Sequence, residues 1–453
     1  MNTPDRRTGI LSLDAKNMKV RLYDYDSYFY IENGTPVHLR LADNSHVSLH
    51  HTIVQNLGRS VSMVEPPLTT YYTDVLANTV VIGRKSWDYS SPIRRVWFSI
   101  SHVKQLLANS RALEVVQRAR DPYDILDKPL FEVRTKGLRV RCWYGVTGTW
   151  EFGANEWYPI FEIEFVKPRN LDTYLLSVHD LLQFFSAASG FQLTPSEISI
   201  STMTHAESLV SRDPLQKDVH LVTYIWPETE VESAEIHRRN SFVIAWSRSE
   251  LAALKSCLKA WLSRGGDWRT ATTLMMGSLG LAGRISGQRL LIACRWLEKI
   301  PGATALSIFS EEAIEEIVGA VTQKADSMGY AQALRRIKGA LRSLRLEPNE
   351  VRFERLVRSV EAAFGQDAMV DHSLGETVIP ALMQAVQLRG KEAHSIVGEQ
   401  PCDLPPLQAA TSAMEALCYL LTIKDLPMSS TGRERALSNR VVREYQYAAM
   451  PLA

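Results

Sequence analysis

Leu138-Arg139-Val140-Arg141-Cys142 and Phe161-Glu162-Ile163-Glu164-Phe165 decide how the first half of this 453-residue chain folds. In both stretches apolar and charged side chains alternate. Because successive side chains of a β-strand point to opposite faces, each stretch has one apolar face and one charged face. Half-buried strands of this kind are typical of antiparallel sheets with one face on the core. The two stretches therefore predict a β-rich N-terminal domain.

The same period of two appears elsewhere in the N-terminal half. Residues 37–41 place valine and leucine at every second position, residues 43–45 supply Asp-Asn-Ser turn chemistry, and the alternation resumes at residues 47–49. This pattern predicts a hairpin. A helical period occurs at residues 172–186, and a further strand is expected at residues 219–226. We therefore expect an antiparallel, sandwich-like sheet interrupted by one helix.

Helical periodicity begins after an acidic, serine-containing stretch at residues 227–235. Ser247 and Glu250 have the spacing of a capping box, in which the serine accepts from a backbone N–H and the glutamate reaches back. Pro405-Pro406 opens a last long helix with an apolar stripe. Other helix starts are expected at Ser310 and Asn349.

The two periodicities together predict an α+β multidomain protein. Residues 1–240 form the β-rich domain with its antiparallel sheet, and residues 241–428 form an all-α helical bundle. Residues 429–453 are polar and basic, and we expect a partly disordered tail. A length of 453 residues exceeds the size at which one hydrophobic core usually stops growing, which supports this division.

The composition is typical of a globular protein and argues against a membrane-spanning or disulfide-stabilised one. The chain is 45% hydrophobic and 22% charged, which is ordinary for a globular protein, and its net charge of +1 gives no global signal for a polyanion partner. The sequence contains no apolar run of the roughly 18 to 20 residues that span a bilayer, and its first residues lack the apolar region of a signal peptide. We expect a cytoplasmic protein without a membrane partner. The odd number and wide spacing of the cysteines argue against a disulfide framework or a zinc site; they are Cys142, Cys257, Cys294, Cys402 and Cys418.

A candidate catalytic motif lies in Leu388-Arg389-Gly390-Lys391-Glu392-Ala393-His394, directly after an amphipathic helical run. Attack of a ribose 2′-hydroxyl on its own phosphodiester needs a group that moves protons and a fixed cation that holds developing negative charge. Histidine titrates near neutrality, and arginine offers a planar fork of donors matched to phosphate. Arg389 and His394 therefore suit RNA cleavage without a metal ion or other cofactor. The plainer alternative is that Arg389 pairs with Glu392 or another carboxylate and His394 caps a helix end.

Helix geometry restricts how Arg389 and His394 can act together. Five residues of a continuous helix advance roughly 7.5 Å and turn about 140°, so the two positions do not share a face. They converge if the helix breaks between them, if the long arginine side chain bridges the gap, or if a second copy of the chain supplies the partner. Gly390 makes a local distortion possible.

The motif and its helical setting resemble the HEPN superfamily, and within it the Apea-like group, in which an Arg-x4-to-6-His motif lies between two helices. Residues 289–298 resemble the first core helix of that family, which often ends in a Leu-Glu pair. The N-terminal half is similar to the β-rich domain of Apea proteins, with Gly9-Ile10-Leu11, the strand around Val47-Ser48-Leu49 and the helix at residues 180–186. Many family members carry a small polar residue, often asparagine, directly after the arginine, whereas this chain has Gly390.

The resemblance implies a function and roles for individual residues. His394 would act as general acid or base and Arg389 would stabilise the transition state. Lys391 is a weaker candidate for binding phosphate, and a solvated lysine is its simpler alternative. Glu298 would orient Arg389 or His394, although an ion pair with Arg295 or Lys299 is the simpler alternative. The products would be a 2′,3′-cyclic phosphate and a 5′-hydroxyl.

The resemblance also implies partners and a biological setting. The substrate would be tRNA or other host RNA, cut in an abortive response to phage. The active form would be a homodimer through the helical domain, and the N-terminal domain would sense a phage-derived trigger. The alternative is an inactive helical module that captures RNA or a protein partner, which Gly390 favours.

Two further groups of residues carry less specific patterns. The densest basic stretch includes Arg335, Arg336 and Arg342, which suit contacts with an RNA backbone, although interspersed glutamates favour a solvated helix face. His46 and His50-His51 have no acidic or cysteine partner at ligand spacing, so a metal-dependent hydrolase in the N-terminal half is the weakest alternative.

Overall fold

The structure is a computed structural model of the 453-residue chain. It describes residues 8–13, 18–24, 26–27, 30–63, 65–107, 129–147, 156–211, 219–224, 241–244, 247–372, 374–394 and 404–449.

The chain divides into two compact units. Each unit is built from three separate segments of the sequence, so one boundary at residue 240 does not describe the division. Unit 1 comprises Met1–Leu182, Leu193–Ser233 and Ala245–Leu251, and unit 2 comprises Gln183–Gln192, Ala234–Ile244 and Ala252–Ala453. Unit 1 contains the sheet and unit 2 contains most of the helices. The α+β class predicted from the sequence is confirmed at this level.

The sheet of unit 1 has eleven strands, all paired antiparallel in the described part of the chain. The strands are β1 Thr8–Leu13, β2 Met18–Asp24, β3 Val37–Arg40, β4 His46–Val61, β5 Thr69–Gly83, β6 Ile93–Ile100, β7 Phe131–Arg134, β8 Leu138–Thr147, β9 Glu156–Arg169, β10 Pro195–Ser201 and β11 Val219–Tyr224. Their order across the sheet is β1-β2-β5-β11-β10-β6-β9-β8-β7, with β4 also paired to β5 and β3 to β4.

The strands expected from the alternating pattern are confirmed. The predicted hairpin is β3–β4, in which Val37 faces Leu49 and Leu39 faces Val47. The two opening stretches lie in β8 and β9 and are direct neighbours, with Val140 opposite Ile163. Five of their six apolar side chains are buried and the sixth, that of Leu138, is half-buried, in line with the alternation.

The charged face of β8 and β9 is less solvated than alternation alone suggests. Arg141 and Glu162 are both buried, and Nη1 of Arg141 donates to Oε1 of Glu162 at 2.6 Å. Arg95 of β6 approaches the other carboxylate oxygen at 3.4 Å, and Nδ1 of His205 lies 3.0 Å from that same oxygen. Buried charges require such pairing, because an isolated charge taken from water is costly.

Fourteen α-helices are described. Those beginning before residue 240 are α1 Val103–Leu107, α2 Leu171–Ser189 and α3 His205–Val210. The rest are α4 Arg248–Leu262, α5 Asp267–Gly280, α6 Gly287–Lys299, α7 Glu311–Ser327, α8 Leu334–Ser343, α9 Asn349–Phe364, α10 Gln366–Asp371, α11 Ile379–His394, α12 Leu404–Ile423, α13 Ser430–Leu437 and α14 Arg440–Ala449.

The predicted helix boundaries follow from local chemistry and are confirmed where they are described. Ser247 Oγ accepts from the backbone N–H of Glu250 at 3.2 Å, and Ser310 Oγ accepts from that of Ala313 at 3.2 Å. Gly365 ends α9 with φ of 96°, a conformation that glycine adopts without steric cost. α12 starts at the expected prolines, and it is buried on all sides from Ala410 to Ile423, which makes it the central helix of unit 2.

The expectation of a partly disordered tail from residue 429 is wrong for the part that is described. Residues 430–449 form α13 and α14, and Leu437, Val442 and Tyr445 are buried. Asn439 between the two helices is fully buried, and its Oδ1 accepts from the backbone N–H of Val441. Although this segment is polar in composition, it contains a short apolar stripe. That stripe is enough to pack the two helices against unit 2.

Candidate functional site

Two helices of unit 2 carry Arg389 and Glu298. α6 begins with a serine cap, in which Ser286 Oγ accepts from the backbone N–H of Arg289 at 3.3 Å. Its apolar face, including Trp296 and Leu297, is buried, which leaves Glu298 in the last turn at the edge of that face. α11 is held by the buried stripe Leu382, Ala385 and Leu388, and Arg389 follows the last of these.

Arg389 and Glu298 form an ion pair between neighbouring helices. Nη1 of Arg389 lies 2.6 Å from Oε1 of Glu298, and the two side chains are 40% and 38% exposed. Of the partners considered for Glu298, Arg389 is the one found at this distance, and the pairing also agrees with the plainer alternative in which Arg389 pairs with a carboxylate. The pair holds the guanidinium at the surface, where a phosphate can reach it.

His394 is the last residue of α11, and its side chain and that of Glu392 lie outside the described residues. The backbone is informative, because α11 runs unbroken from Ile379 through Gly390 to His394. The local distortion at Gly390 considered above is therefore not found. Five residues of continuous helix put positions 389 and 394 on different faces, about 140° apart.

Gly390 and Lys391 are both exposed. A side chain added at Gly390 would meet no atom within 4 Å, so neither packing nor a left-handed backbone requires glycine there. Lys391 extends the positive charge of Arg389 along the exposed helix surface.

The basic residues Arg335, Arg336 and Arg342 lie on α8, which packs against α7. Arg342 is engaged by Glu315 of α7, with Nε at 2.7 Å and Nη2 at 3.0 Å from its two carboxylate oxygens. Arg335 and Arg336 are exposed. In the described part of the chain α8 makes no substantial contact with α6 or α11, so these arginines are not brought to Arg389.

A buried charge cluster in unit 2 was not predicted from the sequence. Arg289 donates to Glu415 through Nε at 2.9 Å and Nη2 at 2.5 Å, and Nη2 also reaches Glu444 at 2.5 Å. Ser278 Oγ donates to Glu415 as well. Burial raises the pKa of Glu415, while Arg289 opposes that shift. The four side chains join α5, α6, α12 and α14, and we assign them to holding the bundle together.

In unit 1, one histidine of the His50-His51 pair has an acidic neighbour that the sequence did not indicate. Nε2 of His51 lies 3.2 Å from Oδ1 of Asp172, and Tyr89 OH donates to the other oxygen of the same carboxylate. His50 is fully buried, and its ring centroid is 5.8 Å from that of Tyr89. Asp172 is more than a hundred residues away in sequence, so the local spacing around His50 gave no sign of it.

Within the described ranges, no group of three or more histidine, cysteine, aspartate or glutamate side chains is arranged to hold a metal ion. Nor does any described helix have the length and apolarity to cross a membrane. Comparisons of the chain with protein-family models, curated proteins and solved structures return no significant match.

Proposed function

We propose that the protein is a metal-independent endoribonuclease of the HEPN type, with Arg389 and His394 as its catalytic residues. The observation that carries the proposal is the Arg389–Glu298 ion pair between α6 and α11. It fixes an arginine at the surface, on the helix that ends at His394. A pre-positioned cation is what the developing charge of phosphoryl transfer needs.

In the proposed reaction a ribose 2′-oxygen forms a bond to phosphorus while the bond from phosphorus to the 5′-oxygen breaks. The 2′-hydroxyl proton passes to a base, and a proton is given to the departing 5′-oxygen, so the products are a 2′,3′-cyclic phosphate and a 5′-hydroxyl. His394 serves in this proton transfer and Arg389 stabilises the charge on phosphate, with Lys391 as an accessory contact.

The geometry of α11 supports a homodimer as part of this proposal. Because the helix is continuous from Arg389 to His394, these two positions lie on different faces. A second copy that brings its own α11 alongside supplies the missing residue for each site. We propose that unit 1 responds to a phage-derived trigger in the cytoplasm and that the RNA cut is tRNA or other host RNA.

The test is cleavage of total tRNA by the purified protein in excess EDTA. We expect cleavage that is lost in Arg389→Ala and in His394→Ala, with product ends that carry 2′,3′-cyclic phosphate. Lys391→Ala is the matched control, because it removes a neighbouring exposed cation and is expected to slow cleavage only slightly. Unchanged cleavage in both Arg389→Ala and His394→Ala would remove the site assignment.

A second candidate function is an inactive helical module that binds RNA or a protein partner. Gly390 favours it, since the residue differs from the asparagine of the resembling family and nothing around it requires glycine. This alternative predicts that the wild-type protein binds RNA but does not cleave it, even at protein concentrations at which it is a dimer.

A further inference from the structure

Helix α7 has an apolar face that is wider than its neighbouring helix covers. Among the described elements α8 is the one that packs substantially against α7, and Ile314 and Val318 are buried there. Ile317 and Val321 lie next to this buried stripe on the helix surface, yet they are 38% and 37% exposed. Part of the apolar face of α7 is therefore left open.

The open residues form one row along the helix, which we call the α7 seam. Intervals of four, three and four residues separate its members, which are Ile317, Val321, Lys324 and Met328. Met328, directly after the last turn, is 58% exposed. An alternation of three and four residues keeps side chains facing one partner helix, so the seam has the pattern of a helix–helix contact.

Exposed apolar side chains also lie at the foot of the α7–α8 hairpin. Ile308 and Phe309 before α7 and Leu344 and Leu346 after α8 are between 40% and 55% exposed. The backbone N–H of Ile308 donates to the carbonyl oxygen of Arg345 at 2.8 Å, which holds the two segments side by side. A concentration of exposed apolar surface marks an interaction site, whereas single exposed side chains do not.

The charges on α7 indicate what covers the seam. Glu315 faces α8 and pairs with Arg342. Because α8 occupies that side, a partner helix approaches the seam from the other side, on which Ala320 and Glu316 lie. Glu316 and Lys324 are exposed, and neither forms an ion pair with a described residue. Both can therefore meet an opposite charge on a partner.

We propose that the seam binds α7 of a second copy of this chain, with the two helices antiparallel about a two-fold axis. Glu316 and Lys324 are each four residues from Ala320. An axis beside Ala320 therefore places Glu316 opposite Lys324 of the partner subunit, and the reverse contact is equivalent. A parallel copy would place Glu316 opposite Glu316 of the partner subunit, and a partner of one charge sign would repel either Glu316 or Lys324.

This contact does not rest on the ribonuclease proposal. In the described part of the chain α7 makes no substantial contact with α11, the helix on which the proposed dimer of active sites depends. A protein that uses both two-fold contacts forms assemblies larger than a dimer.

The experiment measures self-association of the full-length protein by sedimentation equilibrium. Glu316→Lys and Lys324→Glu each replace two opposite-charge contacts with two like-charge contacts. Each variant alone should therefore associate through α7 at least about tenfold more weakly than wild type. An equimolar mixture of the two variants has opposite charges at both contacts again, and we expect it to associate as wild type does.

Two further variants complete the test. Val321→Ser removes apolar surface from the seam on both copies, and association is expected to weaken about tenfold. Lys255→Glu is the matched control, because it reverses an exposed charge on α4, outside the seam, and should associate as wild type does. Far-UV circular dichroism checks that every variant is folded.

Four results would overturn the proposal. They are wild-type protein that stays monomeric at its highest soluble concentration, a folded variant at Glu316, Val321 or Lys324 that associates as wild type does, a mixture that associates no better than its two components, and an equal loss in Lys255→Glu.

The ribonuclease proposal stands or falls separately. Arg389→Ala and His394→Ala should leave association through α7 unchanged. Self-association that follows the charge reversals without tRNA cleavage keeps the α7 contact and removes the nuclease assignment. Cleavage that depends on Arg389 and His394, with association that ignores the charge reversals, does the opposite.

Discussion

Nη1 of Arg389 and Oε1 of Glu298 are 2.6 Å apart, and each side chain remains more than a third exposed. An exposed ion pair stabilises a fold by about 0–1 kcal/mol, so this contact matters more for the charge and position of Arg389 than for stability. In Glu298→Gln we expect RNA to bind about threefold more tightly, because a competing carboxylate is gone. Cleavage should slow about tenfold, because Arg389 loses its orienting partner. Filter binding and single-turnover cleavage measure the two effects.

Glu354→Gln is the control for the Glu298 prediction. Glu354 is 40% exposed and faces Arg358 on α9, so the substitution changes charge and exposure to the same extent at another helix. It should alter neither binding nor cleavage. Faster cleavage by Glu298→Gln would show that Glu298 only masks Arg389 and does not orient it.

Substitution of Gly390 tests whether the small polar residue that often follows the arginine in HEPN-type motifs matters for cleavage. The position is exposed, within the continuous α11, and a Cβ would meet nothing within 4 Å. Gly390→Asn should therefore fold normally and be more stable by a few tenths of a kcal/mol, because asparagine is a slightly better helix former than glycine. We expect cleavage to rise about tenfold if the amide orients phosphate beside Arg389. The measurements are a thermal melt and single-turnover cleavage of tRNA.

Gly390→Ala separates helix stability from chemistry. Alanine adds no polar group and should stabilise the helix by about 0.5–1 kcal/mol relative to glycine. Its cleavage rate should match that of wild type. An equal gain in the alanine and asparagine variants would assign the effect to a stiffer helix and exclude a role for the amide.

The features predicted correctly from the sequence have local causes. The β3–β4 hairpin follows from a period of two around an Asp-Asn-Ser turn, and the starts of α4 and α7 follow from serines that cap the next turn. These signals lie within a few residues of the structure that they specify. The same holds for the helix that carries Arg389, whose buried stripe immediately precedes the motif.

The features missed depend on partners far apart in sequence. Arg289 and Glu415 are 126 residues apart, and no spacing rule connects them. Burial of the Arg141–Glu162 pair also escaped prediction, because a charged face of a strand is normally assigned to solvent.

We expect the buried imidazole of His50 to make the free energy of unfolding fall in acid. It is fully buried, and its ring centroid lies 6.3 Å from that of His38 and 5.8 Å from that of Tyr89. Burial lowers the pKa of His50 to about 4, and the nearby His38 and His51 add to the shift. As pH falls from about 7 towards 4, the unfolded chain takes up a proton near its ordinary pKa of about 6.5 and the folded chain does not. The free energy of unfolding should therefore decrease, by about 2 kcal/mol between pH 7 and pH 5.

Urea unfolding at pH 7 and pH 5 measures this contribution. His50→Met keeps a similar volume and cannot titrate, so its loss of stability on acidification should be smaller than that of wild type by about 2 kcal/mol. His46→Gln is measured alongside, because it removes a half-buried histidine from the same strand and leaves His50 in place. Identical acid responses of wild type and His50→Met would contradict the assignment.

Gly190 is required both by its backbone and by its neighbour. Its φ is +79°, and a Cβ there would overlap Oδ1 of Asn439, the atom that accepts from the backbone N–H of Val441 at the start of α14. Gly190→Ala should cost about 1–2 kcal/mol for the left-handed backbone and a further 1–3 kcal/mol, roughly, for displacing Asn439. Gly283→Ala isolates the first contribution, because Gly283 has φ of +83° with nothing within 4 Å of its Cβ position. Urea midpoints of the two variants should therefore differ, with Gly190→Ala the less stable. Equal midpoints would mean that Asn439 moves aside without cost and that its hydrogen bond does not hold α14 in place.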